Sequence, residues 1–164
     1  PDWFVVGVDA MENYDIQLAI SAFEKTLKRS ETTPQVRRQA MESLRQSYKV
    51  AQRKGDALQM AKKIWVWDYQ ALKKSKKQKA PLAKKLLSST LTLARMLWTD
   101  HQTGEARKVL KTTKGYVGKW TSTSEIDFLN TRIDQEEGKL PTAISSLTEM
   151  ISKTTDPASK ELYQ

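Results

Sequence analysis

The stretch that decides the fold is residues 34–74, PQVRRQAMESLRQSYKVAQRKGDALQMAKKIWVWDYQALKK. Two threonines precede Pro34 and can cap a helix there, because hydroxyl groups accept from free backbone N–H groups and proline suits the first helical turn. Apolar and small residues then recur every three or four positions as far as Ala51, which is typical of one helix face. Gly55 is predicted to take the left-handed position at the helix end, and Asp56 to cap a second helix. So short a connection makes the two helices fold back as an antiparallel hairpin.

The same order of features recurs along the chain. Pro81 opens a third hairpin with a turn near Gly104, and Gly138 predicts the turn of a fourth. The recurrence predicts an all-α fold of about seven to eight helices, arranged as a right-handed stack of antiparallel helical hairpins, an α-solenoid. A compact helical bundle without a repeat is the alternative. The predicted hairpins are residues 3–30, 34–74, 80–113 and 122–153.

The 164 residues are enough to bury the core of one domain. Residues 1–164 are therefore predicted to form a single helical-repeat domain or a fragment of a larger superhelix. The chain begins with Pro1 and not with Met, and Asp156 and Pro157 resemble the start of another helix. We expect the chain to be a piece of a longer protein.

Small, aromatic and turn residues follow a similar order in several units. They are Ala19, Phe23 and Pro34, then Leu44, Ala51, Gly55 and Met60, and finally Gly138, Ala143, Leu147 and Pro157. In this order the chain resembles tetratricopeptide-type repeats, which are helical hairpins of about 34 residues. The spacing differs, since Gly55 and Gly104 are 49 residues apart and Gly104 and Gly138 are 34 apart. The resemblance implies a concave face, lined by the first helix of each unit, that binds a protein or peptide.

The chain contains no cysteine and one histidine. A disulfide framework and a thiolate metal site are therefore excluded, and zinc, Cys–His and Ser–His–Asp centres lack essential members. His101 precedes Gly104 and is expected to be a C-terminal capping residue, while Glu136 and Glu137 lie on a polar helix face. We predict no catalytic residue, no metal site and no cofactor in this chain. We also predict no membrane span, because no run approaches about 20 apolar residues.

Positive charge is concentrated in the middle of the chain. Residues 71–121 carry 13 basic and 2 acidic side chains, whereas residues 122–164 carry 4 basic and 8 acidic ones. Lysines crowd residues 73–85 without an acidic neighbour, and Lys73 to Lys79 are therefore expected at a helix end and loop, where the run can meet a polyanion. A solvated loop without a partner is the alternative. The candidate binding lysines are Lys73, Lys74, Lys76, Lys77, Lys79, Lys84 and Lys85.

Aromatic residues suggest a second candidate surface. Trp65 and Trp67 are two positions apart, so they point in different directions on a helix and cannot both be core. We predict that Trp65 and Trp98 pack between hairpins. Trp67, together with Tyr69 or Tyr14, is the candidate for an exposed aromatic surface that stacks with bases or sugar rings.

A Gly-x-x-Gly pattern at residues 115–118 matches the loop with which one class of RNA-binding module clamps the backbone. That module needs a mixed fold with flanking strands, which the sequence does not indicate. We therefore interpret residues 115–118 as a connector between hairpins.

Three functions are compatible with the sequence. The first is a non-catalytic protein-interaction scaffold of tetratricopeptide-like repeats. The second rests on a general similarity to the superhelical region of bacterial soluble lytic transglycosylases, which implies a periplasmic, non-catalytic part of a peptidoglycan enzyme. The catalytic glutamate motif of that family is absent, so its chemistry would belong to a longer parent chain. The third is binding of nucleic acid or another anionic polymer, such as cell wall, through residues 73–119. The compartment is periplasmic or cytoplasmic, with the periplasm preferred, and the ligand and oligomeric state stay open.

Overall fold

A computed structural model describes residues 1–153, with side chains for all of them except residues 139–144, 146, 150 and 153. Seven α-helices cover most of this range, and no strand is present within it. The helices are α1 Trp3–Glu12, α2 Ile16–Lys28, α3 Pro34–Val50, α4 Lys54–Lys74, α5 Lys79–Thr99, α6 Thr103–Val117 and α7 Ser124–Lys153.

Each helix from α1 to α5 packs against the helix that follows it in the chain. The pairs α1–α2, α3–α4 and α5–α6 are helical hairpins joined by tight turns, and longer connections link one hairpin to the next. The predicted all-α stack of helical hairpins is thereby confirmed. Pro1–Thr123 form one compact unit, and the residues from Ser124 form a second.

The predicted fourth hairpin is wrong. Helix α7 continues through Gly138, the residue predicted to form its turn. No glycine within residues 1–153 has a positive φ, so Gly138 keeps the right-handed conformation of its neighbours. A glycine inside an exposed helix costs only about 1 kcal/mol relative to alanine, and glycine alone therefore does not end a helix.

The three hairpin turns share one geometry. In each, a residue other than glycine adopts the left-handed conformation: Tyr14, Gln52 and His101 have φ of 58, 59 and 60°. Each turn also has the paired hydrogen bonds of a Schellman motif, which satisfy carbonyl groups at the helix end. The bonds, from 2.8 to 3.1 Å, join Tyr14 N to Met11 O, Asp15 N to Ala10 O, Gln52 N to Lys49 O, Arg53 N to Tyr48 O, His101 N to Trp98 O and Gln102 N to Leu97 O.

The predicted roles of two glycines are corrected by this geometry. Gly55 and Gly104 each lie three residues after the left-handed position, inside the first turn of the second helix. The prediction for His101 is confirmed, since it is the left-handed residue that follows the end of α5. Gly55 and Gly104 therefore lie close to a turn, but neither is the residue with the left-handed conformation.

The connections between hairpins are held by basic side chains of the following helix. Arg37 of α3 donates to the carbonyl oxygens of Leu27 and Arg29, both at 2.7 Å. In the next connection Lys79 of α5 donates to the carbonyl oxygen of Leu72, also at 2.7 Å. A cation at a helix C-terminus is favourable because the free carbonyl groups there carry partial negative charge.

Two groups of buried side chains form the core of the first unit. The first is built from α1 to α4, with Phe23, Leu44 and Ile64 at most 2% exposed. The second is built from α4, α5 and α6, with Leu72, Leu86 and Val117 fully buried. Helix α4 contributes to both groups and therefore links the two parts of the core.

Candidate functional site

A groove of about 770 Å³ runs along α4 and is the main candidate site. Its α4 residues recur at the three- and four-residue spacing of a single helix face, and the amino-terminal half of α3 closes one side. We call it the α4 groove. It is lined by Pro34, Met41, Gln59, Lys62, Lys63, Val66, Trp67, Gln70, Ala71 and Lys74.

The floor of the α4 groove is apolar. Trp67 is half-buried and packs against the core shared by α1 to α4, and Met41 lies almost entirely within that core. Val66 is 49% exposed, whereas the solvent-facing positions of a helix are usually occupied by polar residues. The groove thus presents an aliphatic and an indole surface that no part of residues 1–123 covers.

The rim of the α4 groove is basic. Lys62, Lys63 and Lys74 line it, and no acidic side chain does. None of the three lysines forms an ion pair within the described part of the chain. The charge of the groove is therefore not neutralised by the residues that surround it.

The structure brings two of the predicted site residues together, since Trp67 and Lys74 both line the α4 groove. Tyr69 does not join them. It is half-buried on another side of α4 and stacks on Tyr116, with 4.8 Å between ring centroids. Tyr14 is 87% exposed, but it lies in the turn between α1 and α2, away from helix α4.

Trp65 has the packing role that was predicted for it. Its indole N–H donates to the hydroxyl oxygens of Thr90 at 2.9 Å and Thr113 at 3.2 Å, which joins α4 to both helices of the next hairpin. Thr90 and Thr113 also bond each other at 2.8 Å. Trp98 is half-buried on α5.

The lysine-rich stretch is divided among different environments. Lys73 and Lys74 end α4, whereas Lys76 and Lys77 are exposed in the connection to α5, as predicted. Lys79 is half-buried, bonded to the Leu72 carbonyl and 5.4 Å from the Trp120 ring centroid, so it serves as an internal cap. The exposed Lys84 and Lys85 lie in α5, where Lys85 lines a separate cavity.

Only the last residue of the Gly-x-x-Gly pattern lies outside a helix. Gly115 lies inside α6, and Gly118 follows its last residue with φ of −57°. A loop that clamps a nucleic-acid backbone needs free N–H groups in a turn, which a helix does not supply. The prediction that residues 115–118 connect two hairpins is therefore wrong for Gly115.

A bidentate ion pair is the main feature that the sequence did not reveal. Arg38 donates from Nε and Nη2 to the two carboxylate oxygens of Asp68, at 2.7 and 2.8 Å, and the Asp68 side chain is 2% exposed. These hydrogen bonds raise the pKa of Arg38 against the opposing effect of burial. Because 30 positions separate the partners, no local pattern predicts the pair.

The described residues contain no group of three or more His, Cys, Asp or Glu side chains that could hold a metal ion. None of the helices within residues 1–153 is long and apolar enough to cross a membrane. Comparisons of the chain with protein-family models, with curated proteins and with solved structures give no match.

Proposed function

We propose that the chain is a protein-interaction scaffold whose α4 groove binds an acidic amphipathic helix of a partner protein. The observation that carries the proposal is the combination, in one groove of about 770 Å³, of an uncovered apolar floor and a rim with three lysines and no acid. Grooves of this kind accept the apolar face of a helix, while the flanking charges select the partner.

The charge of the rim sets the chemistry of the partner. Lys62, Lys63 and Lys74 repel a basic segment and attract a segment whose polar face carries Asp or Glu. Charge complementarity of this type mainly accelerates association and excludes wrong partners, and it weakens as salt increases. The partner is therefore acidic.

The dimensions of the groove favour a helix as the occupant. The lining residues of α4 extend from Gln59 to Lys74, which corresponds to about 22 Å of helix at 1.5 Å per residue. A partner helix of about 15 residues matches that length. Val66 and Trp67 lie midway along it, where bulky apolar side chains of the partner are best shielded from water.

A designed peptide tests the proposal. The probe is a helix of about 16 residues with Leu on one face and Glu elsewhere, and fluorescence anisotropy measures its binding at about 50 and 200 mM salt. Lys63→Glu and Val66→Asp should each weaken binding about tenfold or more, because one repels the acidic face and the other places charge on the apolar floor. We expect weaker binding at the higher salt concentration.

Matched controls keep the test specific. Lys111→Glu makes the same charge change on α6, and Val50→Asp makes the same apolar-to-acidic change at the end of α3; both positions are exposed. Neither should change the affinity more than about twofold. Equal losses in the controls, or no binding of the acidic peptide, would overturn the proposal. Tight binding of a single-stranded oligonucleotide in place of the peptide would instead favour the polyanion alternative.

A further inference from the structure

A second cavity, of about 250 Å³, is lined by residues of α3, α4 and α5. No Cα atom of α3 comes within 8 Å of a Cα atom of α5, and the cavity occupies the space between these two helices. Ala61 and Ile64 of α4 form its floor. We call it the α3–α5 cavity.

The α3 wall carries two guanidinium groups, each already paired on one edge. Arg38 uses Nε and Nη2 on Asp68. Arg45, whose exposure is only 9%, uses the same two nitrogens on Oε1 of Glu42. The Nη1 group of each arginine forms no hydrogen bond with residues 1–153, and no fully buried side-chain nitrogen or oxygen in that range lacks a partner. Both Nη1 groups are therefore reachable by solvent, and both arginines line the cavity.

The α5 wall adds three more donors on one helix face. Lys85, Ser88 and Thr92 line the cavity at spacings of three and four residues. None of the three side chains has a hydrogen bond or ion pair with another part of the described chain, whereas the hydroxyl of neighbouring Ser89 donates to the Leu86 carbonyl at 3.1 Å. The wall therefore presents one ammonium and two hydroxyl groups without an internal acceptor.

We propose that the α3–α5 cavity binds a phosphate group, either as free inorganic phosphate or as a phosphate monoester. Five donors converge on the cavity, and the charge of Lys85 remains after each arginine is matched with its carboxylate. Guanidinium, ammonium and hydroxyl groups are the side chains that recognise phosphate oxygens. The one acceptor that competes is the second oxygen of Glu42. The volume suits a single phosphate group with a few waters and excludes a folded partner.

This site is independent of the proposed partner helix. No residue lines both cavities, and the donors of the α3–α5 cavity come from α3 and α5 and not from the lysines of the α4 groove. A variant of the α4 groove, such as Lys63→Glu, should therefore leave phosphate binding unchanged. Failure of one proposal does not affect the other.

Titration calorimetry with inorganic phosphate at low salt tests the assignment, with acetate as the comparison anion. Lys85→Gln should weaken phosphate binding at least about fivefold, because it removes the unmatched charge at an exposed position that does not affect folding. Glu42→Gln should tighten it about threefold or more, because it keeps an acceptor for Arg45 while removing the competing negative charge. Lys84→Gln, the exposed neighbour, is the matched control and should change affinity less than about twofold.

If these side chains had only a structural role, Glu42→Gln would not tighten phosphate binding while Lys85→Gln weakens it. The proposal is overturned if phosphate does not bind the wild-type protein, if acetate binds as tightly as phosphate, or if Glu42→Gln and Lys85→Gln both weaken binding. A phosphoserine peptide then identifies the source of the group. Binding as tight as that of free phosphate assigns the site to a phosphorylated chain, and exclusion of the peptide assigns it to the free anion; either result supports a phosphate site.

Discussion

The two junctions between successive hairpins are built differently. At the first, α1 and α3 touch, and the Ser47 hydroxyl lies 3.1 Å from the Met11 sulfur. At the second, α3 and α5 stay apart, and charged side chains line the α3–α5 cavity between them. Small and apolar residues can close a junction because they need no partner, whereas charged residues must be paired or hydrated. The closed junction therefore contributes stability, and the open one leaves donors available for a ligand.

The largest expected effect comes from breaking the open junction at its buried ion pair. Arg38→Met removes the partner of Asp68, and an uncompensated buried carboxylate should lower the free energy of unfolding by about 3–5 kcal/mol. Urea unfolding followed by circular dichroism measures the change.

Two further variants define the source of that effect. Gln39→Met changes an exposed neighbour on the same helix and should have an effect below about 0.5 kcal/mol. Replacing both partners, as Arg38→Met with Asp68→Leu, should restore most of the lost stability, since an apolar pair avoids the desolvation cost. A loss for Arg38→Met no greater than that of Gln39→Met would contradict the importance of the pair.

The closed junction should lose stability at alkaline pH, because Tyr48 then loses its proton. Its hydroxyl donates to Glu24 at 2.7 Å, and burial followed by this hydrogen bond raises the pKa of Tyr48 to about 12. The unfolded chain loses its proton near pH 10, so the contribution of Tyr48 is complete below pH 10 and is lost as pH rises through about 12. The wild type should lose up to about 2 kcal/mol relative to Tyr48→Phe over that window.

The measurement is the free energy of unfolding of both proteins from about pH 8 to 11.5. Subtracting one free energy of unfolding from the other cancels the contribution of the lysines, which both proteins share. Tyr14→Phe, at a position that is 87% exposed, is the matched control. The same pH dependence in Tyr14→Phe would show that the Tyr48 contact is not its cause.

A smaller effect is expected where α1 approaches α2 beside the closed junction. A Cβ atom at Gly7 would lie 2.5 Å from Cε1 of Phe23, which is fully buried and cannot move aside. Gly7→Ala should therefore lower stability by about 1 kcal/mol net, since overpacking outweighs the gain in helix propensity. Gly115→Ala, with no atom within 4 Å, should raise stability by about 0.5–1 kcal/mol. Thermal unfolding compares the two, and a stabilising Gly7→Ala would show that the helices can separate at no cost.

Local features of the sequence predict much of the stack. The hairpin of α3 and α4 occupies the predicted residues 34–74, because its start depends on a local contact, Thr33 Oγ1 accepting from the N–H of Val36 at 3.3 Å. The error at Gly138 has the opposite origin. A helix ends where its carbonyl groups find other donors, and residue type alone does not show whether they do.

The candidate sites were less predictable, because each depends on helices that meet only in the folded chain. Trp67 and Lys74 could be selected by residue type. Val66 and Met41 could not, since only the packing of α3 on α4 shows that one is exposed and the other forms a floor. The density of lysines drew the prediction to residues 73–85 and away from Lys62 and Lys63.

The smallest expected effect concerns the left-handed turn within each hairpin. All three hairpins share this turn, so it does not distinguish the two junctions. Gln52 has φ of 59°, a conformation that costs a residue with a Cβ atom about 1 kcal/mol and costs glycine almost nothing. Gln52→Gly should stabilise the protein by about 0.5 kcal/mol, because relief of strain exceeds the added freedom of the unfolded chain. Gln46→Gly, at an exposed position inside α3, has no strain to relieve and should lose about 1 kcal/mol. Urea unfolding of the two variants at neutral pH gives the sign of each change. If both variants lose stability equally, the left-handed turn is not strained, and the shared geometry then reflects side-chain contacts of Gln52 and not its backbone.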